Sequence, residues 1–120
     1  MLKINSLPAH EDSRGTITDL IEENVNSITK VTFSPGAVRG NHVHKRTTQW
    51  VYVLYGSLIA YTEADGKIFS EVFNEGDFFV SPPNSPHAMK ATDSTAILVF
   101  TQGPRSGAKY ESDTFPYNLI

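Results

Sequence analysis

An all-β fold is what this chain predicts, on three observations. Short runs rich in Ile, Val, Thr, Phe and Tyr recur along it, Gly, Pro, Asn and Asp punctuate them, and no stretch keeps an apolar stripe at helical spacing. Eight strands follow from that pattern, enough for a barrel of two layered sheets.

Thr16–Ile21 opens the series after Ser13-Arg14-Gly15, and Ile28–Ser34 stops at Pro35-Gly36. Gln49–Tyr55 is closed by Gly56. Ser57–Glu63 and Lys67–Phe73 flank Ala64-Asp65-Gly66, whose Asp-Gly pair is the strongest hairpin turn in the chain. Phe78–Ser81 lies between Asn74-Glu75-Gly76-Asp77 and the proline-rich Pro82-Pro83-Asn84-Ser85-Pro86, and His87–Ala91 and Thr95–Thr101 are joined by Thr92-Asp93-Ser94. The polar-flanked stretch near Ile21–Val25 is the sole candidate for a helix, and without a sustained apolar period it is not assigned as one.

Gln49–Tyr55 does not alternate polar with apolar. Val51, Val53 and Tyr55 follow one face while Trp50, Tyr52 and Leu54 follow the other, so both faces call for cover. One face belongs in the barrel and the other against the second sheet or a partner subunit, for which a homodimer is the natural cover.

At 120 residues the chain has room for one domain, spanning residues 1–120, with a real core. No stretch approaches the ~20 apolar residues of a membrane span, and a net charge of −3 with scattered basic residues argues against nucleic acid and anionic membrane as partners. The absence of cysteine removes disulfides and thiolates, so a transition-metal site has only imidazole, carboxylate, amide and water to draw on. The amino terminus lacks the basic-then-apolar pattern of a secretion signal, which makes the cytoplasm the expected location.

The most informative segment runs from Gly36 to Gly56 and contains His42-Val43-His44. On a strand, side chains repeat every second residue and the two imidazoles share a face, whereas on a helix they would point roughly 200° apart. The extended reading lets them grip one ion. A second segment, Gly76 to Met89, ends an apolar strand at prolines and starts the next one with His87, a place from which a turn can aim a third imidazole into the barrel mouth.

Together the two segments resemble the paired motifs of the cupin superfamily. Gly36, His42, His44 and Gly56 stand at the spacing of the first motif, with Gln49 where the family has glutamate. Gly76, Pro82 and His87 stand at the spacing of the second, with Asn84 in place of glycine and Ala91 in place of asparagine. Asparagine tolerates the left-handed backbone that the glycine serves. The resemblance implies a single-domain cupin: a double-stranded β-helix, or jelly-roll barrel, with its site inside.

A narrower likeness is to the cupin ketoisomerases and epimerases of nucleotide-linked keto sugars. It rests on Asp12-Ser13-Arg14-Gly15 followed by a strand, and on Arg39-Gly40-Asn41-His42-Val43-His44-Lys45 followed by Gln49. Those enzymes tend to be longer, and this chain stops soon after Tyr110–Tyr117, which weakens the transfer of nucleotide contacts.

The expected site therefore comprises His42, His44, Gln49 and His87 as metal ligands, with His42, His44 and Arg39 as the groups that would act on substrate. A three-histidine, one-glutamine set suits a divalent Fe, Mn, Ni, Co or Zn, and a neutral amide oxygen binds it more weakly than carboxylate while leaving it more Lewis-acidic. The same glutamine occurs in ketoisomerase-like sequences, where the histidines resemble acid–base groups and no metal is required. Arg39 is placed to hold a carboxylate, a phosphate or an enolate oxygen. His10, Arg14, Lys45 and Arg46 read as surface charges, and Tyr52, Tyr55 and Tyr61 as packing.

Three functions compete. The leading one is isomerisation or epimerisation of a nucleotide-linked keto sugar by proton transfer. The second is a metal-dependent dioxygenase or lyase using Fe, Mn or Ni. The third is a non-catalytic module that binds a small ligand.

Overall fold

The computed structural model of the protein describes residues 2–4, 8–105 and 108–120. Its strands are β1 (Leu2–Ile4), β2 (His10–Asp12), β3 (Gly15–Ile17), β4 (Ser27–Phe33), β5 (Val38–Val43), β6 (Thr48–Tyr55), β7 (Ser57–Ala64), β8 (Lys67–Asn74), β9 (Phe78–Ser81), β10 (His87–Ala91), β11 (Thr95–Gln102) and β12 (Phe115–Pro116). One short helix, α1 (Ala108–Glu111), precedes β12. Two five-stranded sheets result, in the orders β1-β9-β6-β11-β4 and β12-β5-β10-β7-β8, with β2 and β3 forming a separate hairpin. Pairing is antiparallel throughout. No helix among the described residues is long and apolar enough to cross a membrane.

Seven of the eight predicted strands lie within one residue of the observed ends. The eighth, Thr16–Ile21, is shorter than expected. Its partner β2 has only three residues, so the ladder ends at Ile17 and residues 18–20 run on without pairing. Strands β1, β2, β5 and β12 and the helix α1 lay outside the predicted list. Residues 21–25 form no helix.

The core lies between the sheets and follows from the period of two. In β6 the inward side chains Gln49, Val51 and Val53 are buried while Trp50, Tyr52 and Leu54 on the outer face are half-buried. Phe33, Phe79, Ile97 and Val99 join Val51 and Val53 from the first sheet, and Leu58, Ala60, Phe73 and Ala91 meet them from the second. The Phe73 and Phe79 rings pack across the layers at 4.3 Å between centroids. Fully burying side chains of this size contributes on the order of 2 kcal/mol each.

One irregularity decides where the site forms. Strand β10 pairs with β5 through His87 opposite His42 and Ala88 opposite Gly40, so Asn41 is an extra residue on β5. Gly40 and Asn41 have φ of 94° and 56°. A Cβ on Gly40 would sit 2.8 Å from the His87 carbonyl oxygen, so glycine alone lets the two backbones approach this closely. The bulge also inverts the side-chain alternation, which returns His42 to the face that Arg39 occupies.

Candidate functional site

The bulge on β5 presents His42, and two residues later His44 closes the strand's end. Strand β9 stops at Pro82 and Pro83, which cannot extend a ladder, and the turn carries the chain from the first sheet to the second. Asn84 takes φ of 66° there, the left-handed conformation expected of it. Its amide donates to the His44 carbonyl at 2.6 Å and ties the turn to the histidine pair. His87 follows as the first residue of β10, directly opposite His42.

The three imidazoles converge. One ring nitrogen from each lies within 4.8 Å of those of the other two, with His44 and His87 buried and His42 half-buried. His42 Nε2 and His87 Nε2 are 2.9 Å apart, within hydrogen-bond distance of each other and close enough for both to reach one ion. The other ring nitrogens are held from behind. Ser81 Oγ lies 3.0 Å from His87 Nδ1, and His44 Nδ1–H donates to the Asp113 carbonyl oxygen at 2.7 Å.

A carbonyl can only accept, so this last bond places a proton on Nδ1, and in the neutral ring the lone pair lies on Nε2. That atom is buried and has no hydrogen-bond partner among the described residues. An orphaned acceptor aimed at two further imidazoles fits a cation, and the three rings can hold a metal ion.

Electrostatics favour the neutral ligand form. Burial lowers His42 to about 4, helped by the neighbouring His44 and by the Arg105 guanidinium. Burial likewise lowers His87 to about 3, with His42 and His44 adding to the effect. Among the described residues no carboxylate hydrogen-bonds any of the three rings, so none has the acidic partner that orients a histidine base.

Beside the rings lies a cavity of about 300 Å³, walled by His42, His87, Gln49, Arg39, Arg105 and Tyr110 and by the apolar side chains of Val31, Met89, Ile97 and Val99. Gln49 is 7% exposed and enters from the first sheet, opposite the histidine strands. Arg39 stands on the wall, with Nε and Nη2 donating to the Thr32 carbonyl at 3.2 and 3.1 Å and the guanidinium over the Phe33 ring.

The remaining charges stay outside. His10 and Arg14 are exposed and bond Asp12, Lys45 covers the Phe115 ring, and Arg46 reaches within 3.8 Å of Asp113. Tyr52, Tyr55 and Tyr61 do not line the cavity.

Sequence reasoning missed three contributors, all from the last part of the chain. Tyr110 packs 5.6 Å from His44 and 6.3 Å from His42 between ring centroids. Arg105 lies over the Tyr110 ring at 4.4 Å. Asp113 is 1% exposed, and its carboxylate accepts from the Lys45 and Arg46 amides at 3.0 and 2.9 Å and from the Thr47 hydroxyl at 2.6 Å. Burial pushes this carboxyl up, but those three donors and the Arg46 charge outweigh it and hold the group below the usual carboxylate value.

An all-β double sheet with a cluster of imidazoles between its layers defines a class, and the sequence agrees. The chain belongs to the cupin family, whose model matches residues 18–112. It is 35% identical over 104 residues to oxalate decarboxylase OxdC of Bacillus subtilis, a match covering 83% of this chain and 26% of that protein. To germin-like protein subfamily 2 member 3 of Arabidopsis thaliana it is 35% identical over 79 residues, covering 65% of this chain and 31% of the relative. The chain thus spans roughly a quarter to a third of the curated relatives it matches.

Among solved structures it is similar to the sugar 3,4-ketoisomerase QdtA of Thermoanaerobacterium thermosaccharolyticum in complex with TDP, at a TM-score of 0.73 and 19% identity over 94% of this chain and 83% of that one. It is also similar to dTDP-4-dehydrorhamnose 3,5-epimerase of Sulfolobus tokodaii, at a TM-score of 0.72 and 18% identity over 93% and 72% of the two chains. At these identities the likeness is one of fold.

Proposed function

We propose that the protein is a metal-dependent cupin in which His42, His44 and His87 hold a first-row divalent cation, with Gln49 as the fourth protein group, and that a small polar substrate enters the cavity beside them. The observation that carries this reading is the buried, unpartnered Nε2 of His44, locked into its acceptor tautomer from behind. Such an ion, when bound, supplies Lewis-acid polarisation or, if redox-active, electron transfer. The chain's own residues hold the His42 and His87 rings neutral, hydrogen-bond the far nitrogens of His44 and His87, and line the cavity beside them.

Metal analysis of untagged wild-type protein beside His42→Ala and His87→Ala tests the reading. Near-stoichiometric metal in the wild type and its loss in both variants are expected. Equal occupancy in all three would overturn it.

A second reading is isomerisation of a keto sugar, in which His42 removes a proton from the hydroxyl-bearing carbon next to the carbonyl and returns it to the former carbonyl carbon, while the hydroxyl proton passes to the former carbonyl oxygen. It is supported by the half-exposed position of His42 on the cavity wall and by Arg39 on the same wall. Exchange of solvent deuterium into a 4-keto sugar nucleotide, lost in His42→Ala, is its signature. No exchange by the wild type would remove it. The half-buried outer row of Trp50, Tyr52 and Leu54 further supports a homodimer with that face at its interface.

A further inference from the structure

The cavity holds two guanidinium groups and no carboxylate among its described lining residues, although the chain carries 13 acidic residues and a net charge of −3. Arg39 spends its Nε and one terminal nitrogen on the Thr32 carbonyl. Arg105 is different. It is half-buried, its Nε donates to Thr29 Oγ1 at 3.2 Å, its guanidinium carbon lies over the Tyr110 ring, and its terminal nitrogens have no partner among the described residues. No ion pair among the described residues involves it.

A guanidinium held on two sides, lining a cavity and with its terminal nitrogens unpartnered among the described residues, is preorganised for bidentate recognition of a planar anion. The same cavity is also walled by Val31, Met89, Ile97 and Val99. Those side chains offer nothing to the hydroxyls of a sugar. They suit the hydrocarbon part of a small acid, and about 300 Å³ limits its size.

We propose that Arg105 anchors the carboxylate of a small organic acid with an apolar body, the class of ligand this cavity takes. The inference rests on the cavity being the substrate site, but not on the ion. Arg105 is an anchoring residue whose place the Tyr110 ring and the Thr29 hydroxyl fix.

The test is a nuclear magnetic resonance titration of the labelled protein with butyrate, hexanoate and benzoate, each against its own uncharged amide, in metal-loaded and chelator-treated samples. At least one acid is expected to bind the wild type roughly tenfold or more tightly than its amide, the range for a charge-assisted bidentate pair. Arg105→Gln should abolish that preference while leaving metal content unchanged, and Arg105→Lys should restore part of it. A preference that survives Arg105→Gln, or three acids that bind no better than their amides, would overturn the proposal. Loss of the metal reading with the preference intact would leave it standing.

Discussion

Replacing Asp113 by alanine is expected to damage the fold and, on the proposed reading, metal binding, because its carboxylate holds the loop after His44 and its carbonyl holds the His44 ring. Its carboxylate is buried and accepts three hydrogen bonds from the loop that follows His44. The Thr47 hydroxyl, itself 1% exposed, would be stranded at about 2 kcal/mol, and the Lys45 and Arg46 amides, which can turn to water, would lose about 1 kcal/mol each, for roughly 4 kcal/mol in all. Against the ~5–15 kcal/mol that holds a typical domain folded, this is a large share.

The same loss loosens the backbone that carries the Asp113 carbonyl, the acceptor for His44 Nδ1. Metal affinity should then fall by roughly ten- to a hundredfold, the usual effect of removing support behind a ligating imidazole. Urea unfolding of chelator-treated protein reads the first effect and competition with a chromogenic chelator reads the second. Asp113→Asn, which keeps one accepting oxygen, should fall between wild type and alanine in both. A stability loss below about 1 kcal/mol in Asp113→Ala, well under the usual penalty for stranded buried donors, together with unchanged metal affinity, would refute the reasoning.

Two further outcomes are expected. His42 and His87 are lowered to about 4 and about 3 in the fold, so on acidification the unfolded chain takes up their protons first. Metal-free protein should therefore lose stability from about pH 6.5 down to about pH 4, by up to roughly 2.7 kcal/mol per pH unit while both groups titrate. Asp113, lowered for its part, adds a loss at still lower pH. A urea midpoint that stays flat across that window contradicts the stated environment of the rings. Gly40→Ala should cost more than about 2 kcal/mol and also weaken metal binding, since its methyl group would press on the His87 carbonyl. Gly66→Ala, whose Cβ would meet nothing within 4 Å, should cost only ~1 kcal/mol for its positive φ and leave metal binding intact. Equal effects from the two substitutions would mean that the close approach at Gly40 does not position the site.

Most of the strands and the three imidazoles were legible because their signals are local. Alternating β-branched residues, the Asp65-Gly66 turn and the prolines after Ser81 each dictate conformation within a few residues. The pair His42 and His44 announced itself by spacing alone.

What stayed hidden depends on partners far away in the chain. Asp113 sits in the polar run Glu111-Ser112-Asp113, which reads as surface until the Lys45–Thr47 loop is seen to fold around it. Arg105 and Tyr110 gain meaning only from their contact with each other and with the cavity. The bulge at Gly40 and Asn41 left a weak trace, since a glycine next to an asparagine in a strand often marks such a site. That extra residue explains why Arg39 and His42, three apart, line one cavity when strict alternation would separate them.

The bond between His44 and Asp113 spans 69 positions and fastens the segment after α1 to the imidazole cluster. Two regions that are remote in sequence are therefore one mechanical unit, and whatever loosens the Asp113 backbone is felt at the His44 ring.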